Sequence, residues 1–331
     1  MSVRASYGPH VWAARGLLLA SSSLRGGESD VSGGRDGHLG TESTVGDILG
    51  HRAFVGFSPL ILPWDDRAYD EDMPLSRIGS LLPYHTHVDP ETVTRALNRL
   101  IDDVAGGMQV FYRFYTEAQR RNEPARDHTG LFFFRGRPGA PFAVICPGGG
   151  FSYVGSVHEG FPYAVEINGA EYNAFVLKYR AGHGGTEATR DLAAAVSYIF
   201  RNAEELGVST DGYSLWGSSA GARMAAAIGS HGVGRYGAGD LPRPSAIVMA
   251  YTAHSDHSSD EPPTFAVVGE NDGISPPSAM ERRAEALRRS GTVVEYRKYE
   301  NVGHGFGLGT GTSAEGWVPE ATRFWGRSIR R

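Results

Sequence analysis

The sequence predicts an α/β chain, a mostly parallel central sheet with helices on both faces. Three observations carry this reading. Apolar runs at 142–146, 174–177, 213–216, 245–250 and 264–268 are too continuous for half-exposed strands and suit a parallel sheet covered on both sides. Helix-period patterns separate the runs. Turns rich in glycine and polar residues follow several of them, so strand and helix alternate from about residue 140 onward.

Residues 1–43 are rich in Gly, Ser and charge and lack periodicity, so they bury too little apolar surface to offset their ordering entropy. They read as a disordered tail, or as sequence upstream of the true start. Organised sequence begins near Thr44, with Ile48, Leu49, Phe54 and Phe57 followed by Leu60-Ile61-Leu62-Pro63-Trp64. Val93, Leu97, Leu100 and Ile101 share one face of a helix over 90–104. Val110 to Tyr115 and Leu131 to Arg135 form two aromatic-rich strands, an antiparallel start to the sheet. Over 187–207, Ala188, Leu192, Ala195, Ile199, Ala203 and Leu206 keep helical spacing. Met280, Ala284 and Leu287 do the same in the locally basic stretch 280–290, whose charges form a solvated face. Residues 293–299 alternate and carry charge, as an edge strand would. Thr312 and Glu315 make a T-x-x-E capping box opening a last helix, with Val318, Ala321 and Trp325 facing inward.

Composition narrows the class. A chain of 331 residues with 40% hydrophobic and 21% charged residues is an ordinary globular protein. A net charge of −5 and no basic stripe argue against a nucleic-acid partner. The single cysteine, Cys146, excludes an intrachain disulfide and sits at the end of a buried strand as a small core residue. No apolar run nears the roughly 18 residues that span a bilayer. Gly16-Leu17-Leu18-Leu19-Ala20 is too short for a signal sequence, so the expected location is cytoplasmic.

Chemistry concentrates at strand ends. Gly217-Ser218-Ser219-Ala220-Gly221 lies where Tyr213-Ser214-Leu215-Trp216 hands over to a small-residue helix, Ala220 to Ile228. A nucleophile elbow requires that strand–turn–helix frame, because small flanking residues let the backbone turn sharply and lift the hydroxyl out of the sheet. Upstream, Pro147-Gly148-Gly149-Gly150-Phe151 follows the run 142–146, and glycines without Cβ let backbone N–H donors approach a developing oxyanion. Downstream, the run 264–268 leads into Gly269-Glu270-Asn271-Asp272-Gly273, and a later strand into Val302-Gly303-His304-Gly305-Phe306. The order is serine, acid, histidine, and His304 is the only one of 12 histidines after Asp272. His85-x-His87 with Asp89, and His254-x-Asp256-His257, carry ligand types zinc accepts, but neither lies on a clear helix. They read as solvated loop histidines, with neither metal nor cofactor required.

With these features in order, the chain resembles the α/β-hydrolase superfamily over roughly 105–331, nearest the hormone-sensitive-lipase-like carboxylesterases and the acetyl-xylan and feruloyl esterase-like proteins. Lys178-Tyr179-Arg180 after a strand and Asp191 leading a helix add to the likeness. The resemblance implies an α/β-hydrolase domain over 106–331, with 44–105 an N-terminal helical extension or cap. It assigns nucleophile, base and acid to Ser219, His304 and Asp272, with Glu270 the alternative acid. Oxyanion donors would be the N–H groups of Gly149, Gly150 and Ala220. Phe151, Tyr153, Tyr251 and His254 are the candidate substrate-binding residues, with His257 a further candidate on the same loop. One departure is Pro147, which stands where the lipase-like H-G-G-G motif has its histidine, removing a side chain that anchors the loop. The implied activity is a serine esterase on a small or medium carboxylic ester of acetyl or feruloyl type. A serine peptidase of the same fold and a non-catalytic binding protein are the competing readings.

Overall fold

The computed structural model describes residues 36–330. Among these residues eight strands form one sheet: β1 Phe111–Tyr112, β2 Gly130–Phe134, β3 Pro141–Cys146, β4 Asn173–Lys178, β5 Ser209–Ser218, β6 Ala246–Ala250, β7 Thr264–Gly269 and β8 Val294–Tyr299. Their order is β1-β2-β4-β3-β5-β6-β7-β8. The β1–β2 and β2–β4 pairs are antiparallel, and every later pair is parallel. The apolar runs read from the sequence are therefore the strands covered on both faces. The charged run ends the sheet as edge strand β8, which is only partly buried along its length.

Helices cover both sides. Gly184–Arg201 packs on Ala220–His231, which lies against β5 and β6. Pro90–Ala105, Phe161–Gly169 and Trp317–Ile329 form the other layer. The expected helix over 187–207 divides instead: it runs Gly184–Arg201, stops at Asn202 and resumes for one turn at Ala203–Leu206. The Asn202 side chain donates to the Tyr198 carbonyl at 2.7 Å, a local bond that competes with the helical ladder. The last helix also starts later than expected, at Trp317 behind Gly316 at φ 88°. The Thr312–Glu315 capping box does not form. Glu315 accepts instead from the Gly311 amide at 2.8 Å, and the Thr312 hydroxyl accepts from Ala314 N at 3.1 Å. Val318, Ala321 and Trp325 do face the core.

Most of the tail expected over 1–43 lies outside the described residues. Its end is ordered: Leu39 is buried, and Asn98 of helix Pro90–Ala105 brackets its backbone with bonds of 2.7 and 2.9 Å. Residues 44–105 share the core of the sheet, contributing Ile48, Phe54, Ile61, Leu97 and Leu100 to one continuous cluster. Lys178 pins this segment down. Its buried ammonium, at the end of β4, donates to the carbonyls of Leu62 and Pro63 at 3.0 and 3.2 Å and pairs with Asp65 at 2.9 Å. Burial lowers its pKa, and the Asp65 charge opposes that shift. Removing one partner of such a pair leaves a charge buried alone. Asp65→Ala is expected to lower the unfolding free energy by about 3 kcal/mol, and Asp65→Asn by less. Denaturant titration checks this, and equal midpoints for wild type and Asp65→Ala would refute it.

No helix among the described residues is long and apolar enough to cross a membrane.

Candidate active site

The loops at the carboxyl ends of β3, β5, β6 and β7 meet above the sheet. Ser219 occupies the turn between β5 and helix Ala220–His231 at φ 51° and ψ −114°, a conformation that costs a non-glycine residue energy. The surrounding structure imposes it. The Ser219 amide donates to Ala250 O at 2.8 Å, and the flanking glycines allow contacts no side chain could share. A Cβ on Gly217 would overlap the Gly221 carbonyl, and one on Gly221 would overlap the Cys146 carbonyl. Both glycines of the motif are therefore required by close backbone packing.

His304 reaches between the other two groups. Its Nε2 lies 2.9 Å from Ser219 Oγ and its Nδ1 2.8 Å from Asp272 Oδ2. A carboxylate only accepts, so Nδ1 carries the hydrogen and Nε2 is left as an acceptor facing the hydroxyl. Asp272 is buried, and its other oxygen accepts from the amides of Ile274 and Ser275 at 2.9 and 2.7 Å. Glu270 is exposed, and its carboxylate reaches only the Asn301 amide at 3.4 Å. The structure thus joins Ser219, His304 and Asp272 in one hydrogen-bonded chain and leaves Glu270 outside it.

A cavity of about 300 Å³ opens beside Ser219, bounded by Gly150, Phe151, Ala220, Arg223 and Ser275. The amides of Gly149, Gly150 and Ala220 pair with no acceptor among the described residues. Gly150 and Ala220 face the cavity. Gly149 is buried one residue behind, where its carbonyl accepts from Ser152 and Tyr153 at 2.9 and 3.2 Å.

The four expected substrate-binding residues divide. Phe151 lines the cavity, and His254 lines an adjoining one of about 390 Å³. Tyr153 and Tyr251 line neither, which corrects the sequence reading. Both are fully buried beneath the loops, Tyr251 at φ 39°, and their hydroxyls serve internal bonds. The residues expected to cap the site, 44–105, line neither cavity and brace the site from the side. Tyr84 stacks on Tyr153 with ring centroids 5.7 Å apart, and Thr86 donates its hydroxyl to His304 O at 2.8 Å. The pairs expected to be solvated loop histidines also separate. His87 and His257 are exposed and His231 binds Asp256 at 2.8 Å, whereas the His85 ring is buried.

Glu159 is the residue that sequence reasoning missed. It lies in a single π-helical turn, Ser156–Gly160, and is fully buried. One carboxylate oxygen accepts from the Gly148 amide at 2.5 Å. The other meets His85 Nε2 at 3.0 Å and the Tyr251 hydroxyl at 2.6 Å. Burial raises its pKa, but the His85 and His158 rings and these hydrogen bonds outweigh that and hold it at about 2. His158 is also pushed down, to about 4, by burial and then by neighbouring His85. Neutral at ordinary pH, it donates from Nε2 to Gly305 O at 3.0 Å. Glu159 with Tyr179, whose hydroxyl donates to Pro147 O at 2.9 Å, takes over the anchoring that Pro147 cannot supply. Residues 148–150 and 304–305 are thereby tied to one buried polar network.

Residues 136–236 match the BD-FAE family model, an α/β-hydrolase family. The matched stretch contains the glycine loop and Ser219 and ends before Asp272 and His304. Among solved structures, the chain is similar to MGS-M1, an alpha/beta hydrolase from a Medee basin deep-sea metagenome library. Identity is 22% over 61% of this chain and 93% of that one, with a TM-score of 0.53. It is similar to an acetyl ester-xyloside bifunctional hydrolase from Caldicellulosiruptor lactoaceticus at 20% identity, covering 66% and 96% of the two chains with a TM-score of 0.57. Carboxyl esterase 2 from Tuber melanosporum shows 15% identity over 61% and 82%, with a TM-score of 0.52. No curated protein matches the sequence. The fold is that of the α/β hydrolases.

Proposed function

We propose that the protein is a carboxylic ester hydrolase working through an acyl-enzyme on Ser219. The hydrogen-bonded chain from Ser219 through His304 to Asp272, set beside unpaired backbone amides, is the observation that supports this most. His304 Nε2 takes the Ser219 proton as Oγ attacks the ester carbonyl, while Asp272 holds the ring in that tautomer and stabilises the imidazolium. Negative charge on the carbonyl oxygen is met by the Ala220 amide and by those of Gly149 and Gly150. His304 then protonates the leaving alcohol. Water, activated by the same imidazole, releases the acid and restores the serine.

The cavity beside Ser219 suits a small or medium acyl group of acetyl or feruloyl type. An acetyl ester is also the substrate named for the Caldicellulosiruptor lactoaceticus protein. The test pairs fluorophosphonate labelling with hydrolysis of aryl esters against aminoacyl anilides. Labelling confined to Ser219 with esters the better substrates is expected. Faster anilide cleavage would make the protein a peptidase, and failure to label would make it a binding protein on a hydrolase scaffold.

Glu159 acts in this scheme as a positioning residue for the glycine loop. Glu159→Gln has one acceptor oxygen for partners on two sides, so either Gly148 or the His85–Tyr251 pair is released. Displacing oxyanion donors by about 1 Å is expected to lower kcat on the order of 10²-fold with little change in KM. Unchanged kcat in folded protein would remove Glu159 from the mechanism.

A further inference from the structure

The cavity beside Ser219 and the adjoining one share two walls, Phe151 and Arg223. Among the described residues, Arg223 is the only one bearing a full charge at neutral pH that lines either of them. It is exposed, and among the described residues its guanidinium has no carboxylate partner. Its place is fixed by the elbow. The Arg223 amide closes the first helical turn onto Ser219 O at 3.4 Å, so residues 219 and 223 stack on one side of the helix, and Arg223 rises beside the nucleophile. Across the second cavity stands His254. Its buried Nε2 meets no partner among the described residues. Burial, and then the charges of Arg283 and Arg223, lower its pKa to about 4, so at neutral pH it offers hydrogen bonding without charge.

A lone guanidinium in two joined cavities free of acidic side chains favours an anion over a neutral ligand, and its planar fork matches a carboxylate in two parallel hydrogen bonds. The geometry points to Arg223 as a specificity-determining residue that binds a carboxylate of the substrate, which makes the preferred substrates anionic esters. This rests on the reading of Ser219 as the nucleophile. The carboxylate belongs either to the acyl group or to the alcohol, and the two sources separate by experiment.

The acyl arm compares phenyl hemisuccinate with phenyl pentanoate. The alcohol arm compares 4-acetoxybenzoate with 4-methylphenyl acetate. Wild type is expected to favour the anionic member of one pair by about tenfold in kcat/KM, through KM, with the preference shrinking as salt is added. Arg223→Met should remove the preference, Arg223→Lys should keep part of it, and Arg223→Glu should reverse it. Equal kcat/KM within both pairs, or a preference that survives in Arg223→Met, would overturn the inference while leaving the esterase reading intact. If no ester is turned over, the esterase reading fails separately. Calorimetric binding of monomethyl succinate to wild type and Arg223→Met then decides alone: weaker binding to the variant supports the carboxylate site, and equal binding overturns it.

Discussion

Ser219→Ala is expected to lower kcat on an aryl ester by about 10⁴-fold or more, and His304→Ala to lower it equally, with the double variant hardly worse than either. The hydrogen bond of 2.9 Å between Ser219 Oγ and His304 Nε2 is the reason. Without the imidazole the hydroxyl stays protonated and weakly nucleophilic. Without the hydroxyl the imidazole has no proton to move. The residual rate should come from the backbone amides and the cavity, which both substitutions leave in place. Ser218→Ala is the control, because its hydroxyl is fully buried and points 3.3 Å from the Tyr163 hydroxyl, away from the cavity. It should retain most of the wild-type rate. Steady-state kinetics of the four variants checks the scheme. Additive losses in the double variant would mean that the two residues do not share one step, and comparable rates in Ser219→Ala and wild type would end the serine mechanism.

Legibility in the sequence followed the range of the interactions involved. The parallel strands were readable because a strand covered on both faces must be apolar throughout, and β3, β4, β6 and β7 are buried at nearly every position. The elbow was readable because its requirements are local: two glycines and a serine between a strand and a helix. Asp272 and His304 could be placed by order along the chain. Glu159 could not, since its partners His85 and Tyr251 come from distant segments, Gly148 from the preceding loop, and its own segment carries no motif. The available hint was an acidic residue amid the small and apolar residues leading into helix Phe161–Gly169. Tyr153 and Tyr251 were misplaced for a related reason. Both follow strands whose ends do form the site, but Gly149 and Gly150 at positive φ and Tyr251 at φ 39° turn those chains so that the rings point down into the core. The Thr312–Glu315 box failed because Gly316 in the left-handed region separates it from the helix it would have capped.

Asp272→Asn should cost on the order of 10³–10⁴-fold in kcat, while Glu270→Gln should leave the rate within about twofold of wild type. The size of the first effect follows from how Asp272 is held. One of its oxygens accepts from two backbone amides, Ile274 and Ser275, and the other accepts from His304 Nδ1 at 2.8 Å. An asparagine has a single acceptor oxygen. The two fixed amides hold that oxygen, so the side-chain NH₂ turns toward His304. Nδ1 must then be the bare nitrogen and Nε2 the protonated one, and a protonated Nε2 cannot take the proton from Ser219. The geometry survives and the tautomer is wrong, so the folding midpoint should stay near wild type while kcat and the rate of fluorophosphonate labelling fall together. Glu270 has no such position, being exposed and in contact only with the Asn301 amide at 3.4 Å. Kinetics of the two variants under identical conditions decides between the acids. A loss under tenfold in Asp272→Asn, or a greater loss in Glu270→Gln, would move the role of orienting His304 away from Asp272.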